Sequence, residues 1–426
     1  MIGSLATTLL NITDSAFLGR VGEIELGASA IGGILYFTFV MIGFSIGTGV
    51  QIQIARKAGE RDHSGIGPVF DQAIVVLVVF AVFLFILLRF AMPTLVIASV
   101  RDMKVALAVN EFLSYRSFGI FFIMIATAFR SFYVGVALPK VFAVYSFIMA
   151  GLNIVLGAGF IFGKWNFPEM GISGAGLASS LSEALALVFM VIWTATRPKI
   201  KEFRLFRFDN LSWSLTRKLL LLSAPLILQN LLSMGAWFLF FVFIEKIGTH
   251  ELAVSNAARG AYMMAMTPIW GYAVAANSMT SNLIGQNRQV EVMALNHKMV
   301  YLALLTSAFT GLSLLLFPET IIGIFTPDKE LIRHSLGTIQ VVIASLFFFS
   351  TANVLLNSLS GTGATRTVLR LEFFSIFLYM IHIYVTTFVI RSSVEVVWLS
   401  EIVYWGFIGI GSYLYLRKGD WKNIIV

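Results

Sequence analysis

The apolar positions of this chain come in long, nearly unbroken runs, and its polar residues gather in the gaps between them. A run of about 20 apolar residues makes a helix long enough to cross a hydrocarbon core of roughly 30 Å. On that criterion the sequence predicts helices near 1–18, 26–55, 69–90, 104–137, 141–163 and 171–195, then near 217–244, 252–284, 293–317, 330–360, 366–390 and 394–416. The one substantial polar segment, residues 197–215, reads as a cytoplasmic linker between an amino-terminal lobe of residues 1–196 and a carboxy-terminal lobe of residues 216–426.

An offset of 226 residues lays the second half on the first, with Phe17 to Leu26 falling on Phe243 to Leu252 and Ser29 on Ser255. The match continues with Gly59 on Gly285, Asp102 on Asp328 and Gly135 on Gly361. Six spans per half carry both repeats into the bilayer from the same side, so the predicted fold is an all-α membrane protein of twelve transmembrane helices in two parallel six-helix repeats. By the same offset Met1 falls on Ile227, already inside the seventh span, so the first helix is expected to be truncated.

Composition sharpens the picture, since the apolar set makes up 58% of the chain and the charged set 12%, about half the share of an ordinary soluble domain. Without cysteine there are no disulfides or thiolate metal sites, and the five histidines are scattered. The net charge of +8 lies between apolar runs and not in one patch, which argues against a nucleic-acid partner. Nineteen Lys and Arg fall on the linker side of the spans and nine on the other, with Arg116 and Arg259 inside spans. The positive-inside rule then places both termini in the cytoplasm.

The stretch Asn11-Ile-Thr-Asp-Ser-Ala-Phe-Leu-Gly-Arg-Val-Gly-Glu-Ile-Glu-Leu-Gly-Ala resembles the end of the first helix of multidrug and toxic compound extrusion (MATE) exporters. So do Ile54-Ala-Arg-Lys-Ala-Gly-Glu-Arg, Gly151-Leu-Asn-Ile-Val-Leu and Ser358-Leu-Ser-Gly-Thr-Gly-Ala-Thr-Arg, in the family's order. The resemblance, nearer the DinF-like branch than the NorM-like one, implies MATE-like lobes that face each other across a cleft opening alternately inward and outward. It further implies export of lipophilic, often cationic drugs from the cell membrane, driven by protons or sodium, by a chain that works as a monomer without a cofactor.

Asp14 lies about 5 residues before the end of the first helix; a carboxylate near the bilayer centre costs about 2.5–3.5 kcal/mol, so Asp14 is expected to face a cavity or a partner and not lipid. Its repeat counterpart is Phe240. The resemblance makes Asp14 the cation-coupling residue, with sodium as one candidate ion, and Asn153 and Ser179 its polar neighbours. The family's second aspartate, one turn beyond the asparagine, is Gly157 here. Glu183, one turn after Ser179, is placed to supply the missing acid, with Arg130 as a candidate charge partner whose long side chain reaches toward Glu183 or Asp14. In the second lobe the acids of NorM-like exporters fall on Ser233 and Phe349, so that site is expected to be absent. Glu372 reads as interfacial beside Arg370, and the role of Glu401 stays open. Pro225 and Pro268 are expected to kink helices seven and eight.

A flippase for lipid-linked saccharide or peptidoglycan precursor is the alternative, although it calls for a more cationic cavity than these few buried arginines provide. A channel or receptor is disfavoured by the lack of any large soluble segment. An enzyme is disfavoured because no nucleophile, metal set or phosphate-binding loop stands at workable spacing.

Overall fold

The computed structural model describes residues 13–326 and 328–424, and these contain helices, turns and loops with no β-strand. The expected truncation of the first helix falls on residues 1–12, outside the described residues. Residues 13–21 form α1, followed by α2 (Glu23–Gly59), α3 (Ile66–Ile86) and α4 (Met92–Ser99). Then come α5 (Met103–Arg116), α6 (Gly119–Gly135), α7 (Pro139–Phe162) and α8 (Gly171–Thr196). The second half holds α9 (Trp213–Glu245), α10 (Thr249–Gly285), α11 (Val292–Leu316), α12 (Pro318–Ile322), α13 (Lys329–Gly361), α14 (Thr365–Tyr384), α15 (Val394–Trp398) and α16 (Ser400–Lys418). Among the described residues nine helices are long and apolar enough to cross a membrane, ten with the bent pair α5 and α6. Of the other two expected spans, α10 is 37 residues long but less apolar, and α1 is described only from residue 13.

The repeat is visible in the helix boundaries. The starts of α2, α3, α5 and α7 lie 226 residues before those of α10, α11, α13 and α14, and Gly59 and Gly285 close helices of 37 residues each. Asp102 and Asp328 cap the two equivalent helices by accepting backbone N–H groups, Asp102 from Lys104 at 2.8 Å and Asp328 from Glu330 at 2.9 Å. Gly135 and Gly361 both mark close packing, since a Cβ on Gly361 would come within 2.3 Å of the Asn277 carbonyl oxygen and one on Gly135 within 2.7 Å of Ile54.

Three spans depart from the simple reading. The third runs on to Ser99 through a π-helical turn at Leu87–Ala91, and the eleventh continues through another at Val385–Val389. The fourth, expected as one helix over 104–137, is broken between α5 and α6 by a 51° bend. There the backbone tightens into i→i−3 bonds, Phe118 N–H to Tyr115 and Ile120 N–H to Ser117, where α13 of the other repeat runs unbroken.

Two compact units divide the chain, Ile2–Ser223 and Ala224–Val426. In the first, the linker folds back on its own unit: Asp71 of α3, 2% exposed, accepts backbone N–H bonds from Phe206, Arg207 and Phe208 at 2.8–2.9 Å. Phe203 and Phe206 meanwhile pack edge-on against Phe132 and Phe70. The core of the second unit is a single apolar cluster drawn from α9 to α16, with Trp398, Phe240 and Phe349 fully buried.

Candidate functional site

The first unit gathers its polar side chains where α1, α2, α5, α7 and α8 meet. Asn153 on α7 is fully buried, and its amide Nδ2 donates to Ser179 Oγ on α8 at 3.0 Å. Ser179 in turn hydrogen-bonds the half-buried carboxylate of Asp14 on α1. Among the described residues the carbonyl Oδ1 of Asn153 has no partner. That is uncommon for a buried oxygen, which forfeits solvation without recovering a hydrogen bond. Three of the four expected site residues thus form one chain, Asp14, Ser179 and Asn153.

Glu183 joins the same neighbourhood through a cation that the sequence reading passed over. Arg116, the last residue of α5, holds it in a two-pronged ion pair, Nη2 to Oε1 at 2.6 Å and Nη1 to Oε2 at 2.9 Å. The guanidinium also lies 3.7 Å from the centre of the Tyr36 ring, and the Tyr36 hydroxyl reaches Glu183 Oε2 at 3.4 Å. The expected partner, Arg130, is not the one used: it sits on α6 with its guanidinium 5.4 Å from the Phe44 ring, and among the described residues it makes no ion pair. The physical reason is the break in the fourth span, which ends α5 at Arg116 and aims that side chain inward. Gly119 makes the room, because a Cβ there would come within 2.1 Å of Arg116 Nη1 and 2.5 Å of Glu183 Oε2. Arg116 and Glu183 are within electrostatic reach of Asp14, so the site holds two carboxylates against one guanidinium.

Gly157 leaves no polar replacement at its position, since a Cβ there would meet the Phe17 ring at 3.4 Å. Tyr36, Gly119 and the buried Tyr145, whose hydroxyl has no partner among the described residues, complete the site. Sequence reasoning missed Arg116 as a partner, although it had already set it apart as one of two arginines inside a span.

In the second unit Glu372 is fully buried and not interfacial, as its position beside Arg370 had suggested. It faces α9 and α16, while Arg370, two residues away on the helix, points outward and is exposed. Ser233 of α9 donates to it, so the position that lacks an acid on helix seven has one supplied from α14.

The MatE family model matches residues 1–158 and, a second time, residues 225–385, together well over half of the chain. A probable multidrug resistance protein NorM of Thermotoga maritima is 23% identical over 369 residues, covering 86% of this chain and 79% of its own. A NorM of the same description from Photorhabdus laumondii is 24% identical over 385 residues, 89% and 83% of the two chains. Among solved structures, a MOP superfamily transporter from Pyrococcus furiosus superimposes with a TM-score of 0.90 at 20% identity, over 98% of this chain and 92% of that one. An outward-facing multidrug resistance MATE family transporter does so with a TM-score of 0.91, also at 20% identity. A repeated match of that extent, on two helical halves, means that the chain belongs to the MatE family of MATE transporters, multi-pass membrane carriers and not enzymes.

Proposed function

We propose that this transporter exports lipophilic, cationic compounds by alternating access, coupled to the inward passage of a proton at Asp14. The observation that carries the proposal is the hydrogen-bonded chain from Asp14 through Ser179 to Asn153, closed on one side by the Arg116–Glu183 pair. Binding a proton turns the Asp14 carboxylate from an acceptor into a donor as well, and so changes what α1 can hold on α7 and α8. Because each alternating state offers a different set of partners, proton occupancy biases which state the protein adopts.

A proton suits the site better than sodium. Hard cations need several oxygen ligands, yet Glu183 is committed to Arg116 and Gly157 faces a phenylalanine ring. That leaves the Asp14 carboxylate, Asn153 Oδ1 and Ser179 Oγ, with a single negative charge between them. The NorM names of the sequence relatives support drugs as cargo over the lipid-linked precursors of a flippase. The lysine and arginine bias supports cytoplasmic termini, and the proposed working unit is the monomer.

Reconstituted liposomes test this directly, with efflux of a cationic dye followed under an imposed pH gradient and, separately, a sodium gradient. We expect drive by the pH gradient and loss of drive in Asp14→Asn. Dye export by Asp14→Asn at the wild-type rate would overturn the role of Asp14, and drive by sodium alone would overturn the proton.

A further inference from the structure

The second unit buries two glutamates that the function proposed above does not use. Glu401 on α16 accepts hydrogen bonds from the Tyr262 hydroxyl of α10 at 3.2 Å, the Tyr379 hydroxyl of α14 at 3.1 Å and Trp405 Nε1 at 3.1 Å. Glu372 on α14 accepts from the Ser233 hydroxyl of α9, the Tyr404 hydroxyl of α16 and, at 3.4 Å, Gln229 Nε2 of α9. The Tyr379 and Tyr404 rings, 5.5 Å apart between centroids, stand between the two carboxylates and connect them.

Repeat symmetry gives this arrangement its meaning. At the offset of 226, Tyr36, Asn153 and Ser179 of the first site fall on Tyr262, Tyr379 and Trp405, the three donors to Glu401. Asp14 falls on Phe240, whose ring stacks on Tyr379 at 6.0 Å. The second lobe therefore fills the aspartate's place with a ring and delivers an acid to the equivalent surroundings from α16.

Unlike Glu183, neither glutamate has a cation beside it among the described residues. The residues facing them are Gln229 and Ser233 from α9, Tyr262 from α10, Phe349 from α13, Tyr379 from α14, and Tyr404 and Trp405 from α16. The nearby charged and titratable groups are directed elsewhere. Arg259 sits 4.8 Å from the Phe241 ring, His382 bonds the Val396 carbonyl, and Arg370 is exposed. A buried carboxylate with no counter-cation is costly, and a bound proton removes the charge. Hydroxyl groups tolerate both states, since each donates to a carboxylate and accepts from a carboxylic acid. An indole N–H only donates, so Trp405 would be no ligand for a metal ion.

We propose that Glu372 and Glu401 form a second proton-binding centre, in the carboxy-terminal lobe, loaded and emptied during the transport cycle. Only its effect on transport stoichiometry rests on the proton-coupled reading. Loading also has a mechanical consequence, because Gln229 and Ser233 lie 4 and 8 residues after Pro225, where α9 lacks a backbone hydrogen bond. Neutralising Glu372 weakens its bonds to both by roughly half and loosens α9 next to its proline.

Infrared titration of the detergent-solubilised protein in H2O and D2O reads the carboxylic acid C=O band without any cargo. We expect wild type to show several titrating components, with Glu372→Gln and Glu401→Gln each removing one and Asp14→Asn removing another. Hydrogen exchange of α9 over residues 226–234, corrected for intrinsic pH dependence, should lose about tenfold protection on acidification in wild type and show no pH response in Glu372→Gln. Should Glu401→Gln not fold, Glu372→Gln and Tyr404→Phe carry the test. If the titrating band is the same in wild type, Glu372→Gln and Tyr404→Phe, the second centre is overturned while proton coupling at Asp14 stands. If the Glu372 and Glu401 components titrate but no dye is exported, the centre stands and the export reading falls.

Discussion

Replacing Arg116 by methionine keeps most of the side-chain volume and removes the only cation that the described structure pairs with Glu183. The two side chains are 12% and 7% exposed, so solvent screens their attraction little. Both prongs of the pair are charge-assisted bonds, at 2.6 and 2.9 Å. Each contributes about 1.5–3 kcal/mol against water. Removing one partner also strands a carboxylate that was desolvated on folding, which brings the expected loss for Arg116→Met to about 3–5 kcal/mol. Glu183→Gln in the same background removes the stranded charge, so the double variant should recover more than half of that loss. Unfolding of the four proteins in a mixed-micelle denaturant series, followed by tryptophan fluorescence, gives the cycle. A single-variant cost below about 1 kcal/mol, with additive effects in the double variant, would refute the claim that the pair is buried and mutually dependent.

Other substitutions probe separate parts of the fold. Gly361→Ala puts a Cβ 2.3 Å from the Asn277 carbonyl oxygen and should cost about 1–3 kcal/mol in the same unfolding assay. Gly151→Ala, mid-helix in α7 with nothing within 4 Å of the new atom, should instead be neutral or stabilising by about 0.5–1 kcal/mol. Asp71→Ala strands the N–H groups of Phe206, Arg207 and Phe208, so tryptic cleavage at the exposed Arg204 and Arg207 should quicken at least several-fold. At the loop after α2, the hydrogen bond from Lys57 holds the Asp62 carboxyl below its usual range. A depressed folded value means that this stabilisation is present above about pH 3.9, the unfolded value, and disappears only as pH falls through the folded one. Asp62→Asn should therefore cost under about 1 kcal/mol for so exposed a pair, with the same cost at pH 6 and pH 8.

The sequence by itself determined the spans, their pairing into repeats and the pool of buried polar residues. Each of these follows from one-dimensional information: about 20 apolar residues must be helical in lipid, because every backbone N–H and C=O needs a partner there. Repeat arithmetic also paired Asp102 with Asp328, which the structure shows to be equivalent helix caps. Asp14 stood out as a carboxylate in a segment where lipid tolerates few, whereas Asn153 and Ser179 were marked by the family resemblance.

Which of those groups meet was decided only in three dimensions. Arg130 and Arg116 differ by fourteen positions, nearly four helical turns, and on one straight span they would share a face. The 51° break between α5 and α6 separates them, giving Arg116 to Glu183 and leaving Arg130 against Phe44. Likewise Glu372 looked interfacial because Arg370 is its neighbour along the chain, yet residues two apart on a helix point in different directions. Helix geometry put that acid on the α9 and α16 side, buried and, among the described residues, without a cation. Hydropathy reports how far a segment reaches, whereas ion pairing depends on bends and rotations of a few tens of degrees, and those are set by packing between helices far apart in the chain.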